Sequence, residues 1–160
     1  MRTIRRAWQQ LDHAMIRFMR ANGIRALRVA LGIVFVWFGA LKVVGLSPVG
    51  DLVAGTVYWI DPRVFVPLLG IWEIAVGLGL VSGVAMRMVL LFFWLQMAGT
   101  FLVLVLRPEL AFQRGNPLLL TTTGEFVIKN LVLIAAGLVI GSTIRPGAAG
   151  RSDETRSGTA

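Results

Sequence analysis

The sequence lacks cysteine altogether, contains one histidine, His13, and is poor in charged residues, which make up 15% of its 160 residues. Without cysteine the chain has no disulfide, no thiol nucleophile, no cysteine-ligated zinc and no iron–sulfur cluster. A single histidine cannot supply a bis-histidine haem or a histidine-rich metal site. Hydrophobic residues reach 56%, more than so small a soluble domain hides from water. The composition therefore argues against a water-soluble globular enzyme.

Long apolar runs dominate the chain instead. A transmembrane helix needs about 20 mostly apolar residues, and four segments meet this requirement, residues 26–45, 64–84, 88–106 and 126–144. The runs are continuous rather than alternating, which favours helices over the strands of a membrane barrel. Little besides Arg87 separates the second span from the third, so these two should form an antiparallel hairpin. We therefore predict an all-α, polytopic membrane protein with a bundle of four transmembrane helices.

The formal net charge of +8 follows from 16 Lys and Arg against 8 Asp and Glu. The spans place most of these basic residues on one side, namely Arg2, Arg5, Arg6, Arg17, Arg20, Arg25, Arg28, Arg87, Arg145, Arg151 and Arg156. Arg63, Arg107 and Arg114 are the basic residues of the two connections on the other side. Because cytoplasmic flanks are enriched in Lys and Arg, both termini should face the cytoplasm. Membrane topology accounts for the basic charge, and no nucleic-acid partner is expected.

The chain divides into three predicted parts. In residues 1–24, apolar residues recur at three- and four-residue steps among arginines, which predicts a separate amphipathic helix on the anionic inner leaflet; they are Ile4, Trp8, Leu11, Met15 and Phe18. This interfacial helix either reinforces topology or docks a cytoplasmic partner. Residues 25–145 form the membrane domain, and residues 146–160, rich in Gly, Ser, Thr and Arg, form a disordered tail.

The two outward connections are longer than simple turns. The first contains Pro48, Tyr58 and Trp59, and residues 51–60 are expected to form a short helix at the membrane surface. The second, residues 107–125, is too polar to span the membrane and long enough to fold over the outer end of the bundle.

Several polar residues fall inside the apolar spans, where a charge costs about 2.5–3.5 kcal/mol at the bilayer centre. They are Lys42, Glu73, Gln96, Glu125, Lys129 and Asn130. From a rise of about 1.5 Å per residue, Lys42, Glu73 and Lys129 all belong to the outer half of the membrane. A cluster of these three, with Asn130 as a hydrogen-bond donor, is therefore possible. Glu125 and Lys129 can also pair along one helix face, because they are four residues apart.

Three interpretations of these polar residues stay open. They form a charge clamp that holds helices in register, or the lysines extend outward and never meet Glu73, or the group forms a pocket that binds a ligand or passes protons. Trp37 and Trp72 lie inside spans near Lys42 and Glu73. Aromatic walls beside a polar group suit a quinone or another flat ligand, although ordinary packing also explains them.

Two GxxxG pairs occur, Gly79 with Gly83 and Gly137 with Gly141, both at the cytoplasmic ends of their spans. Such small residues allow close helix approach, so the second and fourth helices could approach each other closely there. The same motif serves dimerisation, and it does not decide whether the protein is a homo-oligomer. No nucleotide-binding loop, catalytic triad or zinc motif is present.

Three segments together are similar to one known family. They are RVALGIVFVWFGALKVVG (28–45), GIWEIAVGLGLVSG (70–83) and GEFVIKNLVLIAAG (124–137). In order, spacing and placement they resemble the DoxX-like integral membrane proteins, and especially the YkgB branch, which includes a reactive-chlorine-resistance protein. The outer connections are shorter than in that branch.

The resemblance implies a four-helix protein of the bacterial inner membrane, associated with membrane redox or oxidative-stress defence. It implies an accessory subunit that binds a quinone-like lipid or a partner oxidoreductase, with no catalysis expected from the chain alone. Lys42, Glu73, Glu125, Lys129 and Asn130 occupy the positions that match the family pattern. Two alternatives from other classes are a small-molecule or proton-linked transporter and a purely structural scaffold.

Overall fold

The computed structural model describes residues 2–47, 50, 52 and 59–144. The long helices are α1 (Arg2–Val43), α2 (Pro62–Ser82), α3 (Met86–Leu106) and α5 (Thr122–Gly141), with a short α4 (Pro108–Ala111) before α5. Four helices are long and apolar enough to cross a membrane. No strand occurs within the described ranges, where the only β-type pairing is a bridge between Phe112 and Leu120. The predicted all-α, four-span fold is confirmed.

Helix α1 runs unbroken through the expected boundary at residue 24. The helix is continuous here because a single glycine, Gly23, does not interrupt it, and the interfacial location of residues 1–24 stays a prediction. At about 1.5 Å per residue, 42 residues extend about 63 Å, roughly twice the hydrocarbon thickness of about 30 Å. From residue 8 onward, the large apolar side chains Trp8, Leu11, Met15 and Phe18 of the N-terminal half are exposed.

The hairpin between α2 and α3 has well-defined ends. The Asp61 side chain accepts a hydrogen bond from the Arg63 N–H, and Pro62 provides the first helical residue. Helix α2 ends at Gly83, whose φ of 74° favours glycine, and Ala85 precedes α3. This short turn confirms the predicted antiparallel pair. It defines the hairpin end of the bundle, and the end of α1, the start of α2 and the connection 107–121 lie at the opposite, loop end.

Helices α1 and α2 pack backbone to backbone through two reciprocal glycine pairs. A Cβ added to Gly39 would lie 2.5 Å from the Gly70 carbonyl oxygen, and one added to Gly77 would lie 2.6 Å from that of Gly32. In each helix the two glycines are seven residues apart, which places them on one face two turns apart. Absence of side chains here lets the two helices approach closely.

The hairpin half of the bundle is filled by packed apolar side chains. Its buried core brings together Leu31 and Phe35 of α1, Leu80 of α2, Phe93 of α3 and Ile140 of α5. The rings of Phe35 and Phe93 are 5.5 Å apart. Core side chains from all four spans therefore meet across the bundle axis in this half.

The two GxxxG pairs pack against a different helix from the one expected. The space beside Gly79 is filled by Val89, and the space beside Gly137 by Phe93, both side chains of α3. Gly83 faces the Arg28 guanidinium. The expected approach of the second and fourth spans at these glycines is wrong, because α3 packs against both.

The second connection is folded tightly across the start of α5. The Thr121 hydroxyl donates to the Leu110 carbonyl at 2.5 Å and accepts from the Gly124 N–H, capping α5. Ala111 is fully buried, and Gly124 packs against its carbonyl. Outside the membrane spans, a hydrogen bond from Arg107 lowers the pKa of Glu109. The expected surface helix at 51–60 falls outside the described residues apart from Leu52, Trp59 and Ile60, and the expected disordered tail at 146–160 lies wholly outside them.

Candidate functional site

A buried ion pair joins α1 to α2. The Lys42 Nζ lies 2.7 Å from Glu73 Oε2, and the two residues are only 5% and 7% exposed. Gln96 of α3 donates from Nε2 to Glu73 Oε1 at 2.5 Å. Both carboxylate oxygens thus accept a hydrogen bond from a different helix. The polar network of Lys42, Glu73 and Gln96 links three spans without leaving the buried carboxylate unpaired.

Lys42 meets Glu73 because the end of α1 lies nearer the hairpin end of the bundle than the start of α2 does. A Cβ on Gly70 would lie 2.9 Å from the Lys42 Cβ, so Lys42 is level with a residue eight positions into α2, about 12 Å from its start. The glycine at position 70 makes this approach possible. Lys42 also lies in the last turn of α1, where a cation interacts favourably with the helix dipole.

A cavity of about 590 Å³ lies among all four spans in the loop half, next to the polar network. This volume falls within the range of about 300–1,000 Å³ typical of small-molecule sites. Most of the wall is apolar, and its floor includes Phe35 and Met97 from the buried core. Leu52 contributes to the wall from the first connection. The polar lining residues are Lys42, Glu73, Gln96, Thr100, Lys129 and Asn130.

Two buried polar atoms of the cavity lining have no hydrogen-bond partner. They are the indole Nε1 of Trp72, a donor, and the amide Oε1 of Gln96, an acceptor. Leaving such an atom unpaired costs about 1–3 kcal/mol. The Trp72 ring packs edge-on against Phe92 at 4.8 Å, which holds the indole in place. The two atoms are therefore candidates to contact a bound polar group.

One comparison with known proteins assigns the chain to a family. The DoxX family model matches residues 23–106, just over half of the chain. The chain belongs to the DoxX family. This match covers the membrane part of α1, all of α2 and all of α3, and thus every member of the polar network. Comparison with curated proteins and with solved structures gives no match.

Two features of the predicted site are placed differently in this DoxX-family protein. Lys129 is not part of the network; its Nζ pairs with Glu125 at 3.5 Å on the surface of α5, and its side chain is 76% exposed. The possible cluster of Lys42, Glu73 and Lys129 is therefore not formed, and the predicted pairing of Glu125 with Lys129 along one helix face is confirmed. Gln96 takes the third position because α3, rather than α5, presents a polar side chain at the level of Glu73.

The predicted residues divide by position around the cavity. Lys42, Trp72, Glu73, Gln96, Lys129 and Asn130 line it. Trp37 and Glu125 do not, and Trp37 is 64% exposed on α1. The sequence of α1 alone does not show that Trp37 points outward. Its direction follows only once Gly32 and Gly39 are known to mark the side of α1 that faces α2.

Sequence reasoning missed the glycines that align α1 with α2 and several cavity residues of α3. The seven-residue spacing shared by Gly32 with Gly39 and by Gly70 with Gly77 was the available signal. Gly99 and Thr100 line the cavity, and no sequence pattern marked them. Within the part of the chain that the structure describes, no group of three or more His, Cys, Asp or Glu residues could hold a metal ion.

Proposed function

We propose that this DoxX-family protein is an accessory subunit in membrane redox or oxidative-stress defence, and that its cavity binds a quinone-like lipid. We place it near the YkgB-like branch, in the bacterial inner membrane. A membrane oxidoreductase would be its functional partner. One observation carries the proposal, namely an apolar cavity that ends at a buried network of charged and amide groups.

The cavity has the chemistry that a quinone ring requires. A quinone is flat and apolar, with carbonyl oxygens that accept hydrogen bonds. Phe38 and Trp72 line the cavity, and the unpartnered Trp72 Nε1 supplies a donor. Lys42 is a second donor, since its ammonium has three protons and contacts Glu73 with one. These residues bind and orient the ring, whereas oxidation and reduction of the quinone require an oxidoreductase.

The binding test compares two tryptophans in the full chain, reconstituted in nanodiscs. We expect saturable binding of a ubiquinone headgroup analogue, weakened about three- to tenfold by Trp72→Phe, since one hydrogen bond contributes about 0.5–1.5 kcal/mol. Trp37→Phe is the control, because Trp37 lies outside the cavity lining. Binding is measured by equilibrium dialysis, with empty nanodiscs subtracted. Equal effects of the two substitutions, or no saturable binding, would contradict the proposal.

The polar network also supports a second candidate, a structural scaffold, because it ties three spans together. The variant that combines Lys42→Met with Glu73→Gln removes both charges and keeps the approximate volumes. In cells that produce this variant in inserted, folded form, the redox proposal expects sensitivity to oxidants. A scaffold expects normal tolerance. Glu125→Gln is the control, because Glu125 lies on the surface outside the cavity.

We also propose that both termini are cytoplasmic, so that the cavity lies in the outer half of the membrane. The bias of Lys and Arg toward the hairpin end and the N-terminal segment supports this orientation. Because the chain has no cysteine, single-cysteine variants report one position each. In spheroplasts, a membrane-impermeant maleimide should label Leu118→Cys, in the outer connection, and leave Val84→Cys unlabelled. The reverse pattern would show the opposite orientation.

The N-terminal half of α1 is proposed to lie on the inner leaflet, with a bend near Asn22 and Gly23. Two observations support a bend there. The Asn22 side chain bonds the Phe18 carbonyl, a local bond that bends helices, and no neighbouring atom comes within 4 Å of a Cβ at Gly23. Bending would bury the exposed apolar side chains of this segment in lipid and place its arginines near anionic headgroups.

A further inference from the structure

The side chains that line the cavity differ in how far they are exposed on the outer surface of the protein. Leu68 of α2 and Leu95 of α3 line it, yet both are 60% exposed. Because α2 and α3 are apolar membrane spans, the part of these side chains that lies outside the cavity faces lipid chains. A residue that lines the cavity and also faces lipid stands at an opening between them.

Helical geometry places this opening between α2 and α3. Gly79 and Trp72 of α2 contact Val89 and Phe92 of α3, so these residues mark the facing sides of the two helices. Leu68 lies four residues before Trp72, one turn nearer the loop end on the same side of α2. The Trp72–Phe92 contact and the Glu73–Gln96 hydrogen bond join the two helices on the hairpin side of Leu68, which is itself exposed.

Gly99 forms the other edge of the opening. It lies seven residues after Phe92, two turns nearer the loop end on the same side of α3. It lines the cavity, and a Cβ placed on it would meet no atom within 4 Å. On α1 and α5 the cavity-lining side chains of Phe38 and Phe126 are 43% and 38% exposed, less than those of Leu68 and Leu95.

We propose that the crevice bounded by Leu68, Trp72, Leu95 and Gly99 is a lateral portal from the bilayer into the cavity. This inference rests on the proposed function and specifies its ligand as a lipid with a long apolar chain, rather than a solute that enters from water. The polar head lies beside Lys42, Glu73 and Gln96, and the chain extends through the portal between α2 and α3. The ligand is amphipathic because the site has one polar side and an apolar opening to lipid.

The residues at the head of the site match this division. Gln96, which donates to Glu73, follows Leu95 directly in the sequence, so the same turn of α3 carries a network residue and a portal residue. Trp72 likewise combines an unpartnered indole N–H with a ring that packs against Phe92 at the inner limit of the portal. A molecule that contacts the polar network therefore lies next to side chains that also face lipid.

The test fills the portal without disturbing the fold. Gly99→Leu adds a side chain where the structure has open space. Ala98→Leu is the matched control, because Ala98 is the neighbouring exposed residue of α3 and does not line the cavity. The probes are a long-chain ubiquinone and its headgroup analogue without a chain, each titrated against the full-length protein in nanodiscs.

We expect Gly99→Leu to weaken binding of the long-chain ubiquinone at least about tenfold and binding of the chainless analogue less than about threefold, corresponding to about 1.4 kcal/mol or more for the first. Ala98→Leu should change neither. If Gly99→Leu leaves long-chain binding at the wild-type level, or weakens both probes equally, the portal is overturned while the proposed function stands. If the wild-type protein binds neither probe saturably, the proposed function fails and the portal with it.

Discussion

Lys42→Met is expected to lower the free energy of unfolding by about 3–5 kcal/mol, because it leaves a buried carboxylate without its counter-charge. Glu73 Oε2, which Lys42 contacts at 2.7 Å, would lose its partner. The carboxylate would keep one hydrogen bond, from the Gln96 amide to Oε1. Combining Lys42→Met with Glu73→Gln should restore most of this loss, since a neutral amide needs no counter-charge. The measurement is unfolding in mixed detergent micelles, followed by tryptophan fluorescence.

The surface pair on α5 is the matched control for this experiment. Lys129→Met removes the same cation from an ion pair whose side chains are 76% and 57% exposed, and exposed pairs contribute only about 0–1 kcal/mol. If Lys42→Met costs no more than Lys129→Met, the buried pair is not a stabilising element of the fold. If the double variant is as unstable as Lys42→Met alone, the cost comes from lost packing rather than from the unpaired charge.

Gly39→Leu should have an effect of comparable or larger size. The new Cβ would lie 2.5 Å from the Gly70 carbonyl oxygen and 2.9 Å from the Ile74 side chain, so α1 and α2 would have to separate. Overpacking in a tight interface costs about 1–3 kcal/mol and occasionally more, and separation would also draw Lys42 away from Glu73. We expect a loss of at least about 3 kcal/mol, measured by the same unfolding assay.

Ala40→Leu provides the comparison, because Ala40 is the next residue of α1 and is exposed to lipid. It should leave stability within about 0.5 kcal/mol of the wild-type value. Gly39→Ala is the milder variant, in case the leucine variant does not accumulate, and should still be less stable than the wild type. Equal stability of Gly39→Ala, Ala40→Leu and the wild type would contradict the close packing of α1 on α2.

The four spans were predictable because a helix in lipid must be long and apolar, and this requirement is visible residue by residue. The predicted span that begins at residue 64 is a helix from Pro62, and the one that ends at residue 106 ends at Leu106. The continuity of α1 across residue 24 was missed because hydropathy marks where a helix enters lipid and carries no information on whether the helix continues outside it.

The candidate site was predictable in type and only partly in arrangement. A carboxylate in mid-span needs a partner, which identified Glu73 and Lys42 correctly. The choice of third member depended on which helix presents a polar side chain to Glu73, and the level of Lys42 depended on the close approach of α1 and α2 at Gly39 and Gly70. Lys129 lines the cavity, but its ammonium pairs along its own helix with Glu125 rather than with Glu73.

Native mass spectrometry of the protein released gently from its own membrane tests the central claim most directly. The account predicts that a single quinone-type lipid stays bound to the wild-type protein and is lost from the Gly99→Leu variant, while Ala98→Leu retains it. Co-release of a membrane oxidoreductase would further support the accessory role. A wild-type protein that carries only phospholipid, with the same lipid content in both variants, would contradict the assignment of the cavity as a quinone site.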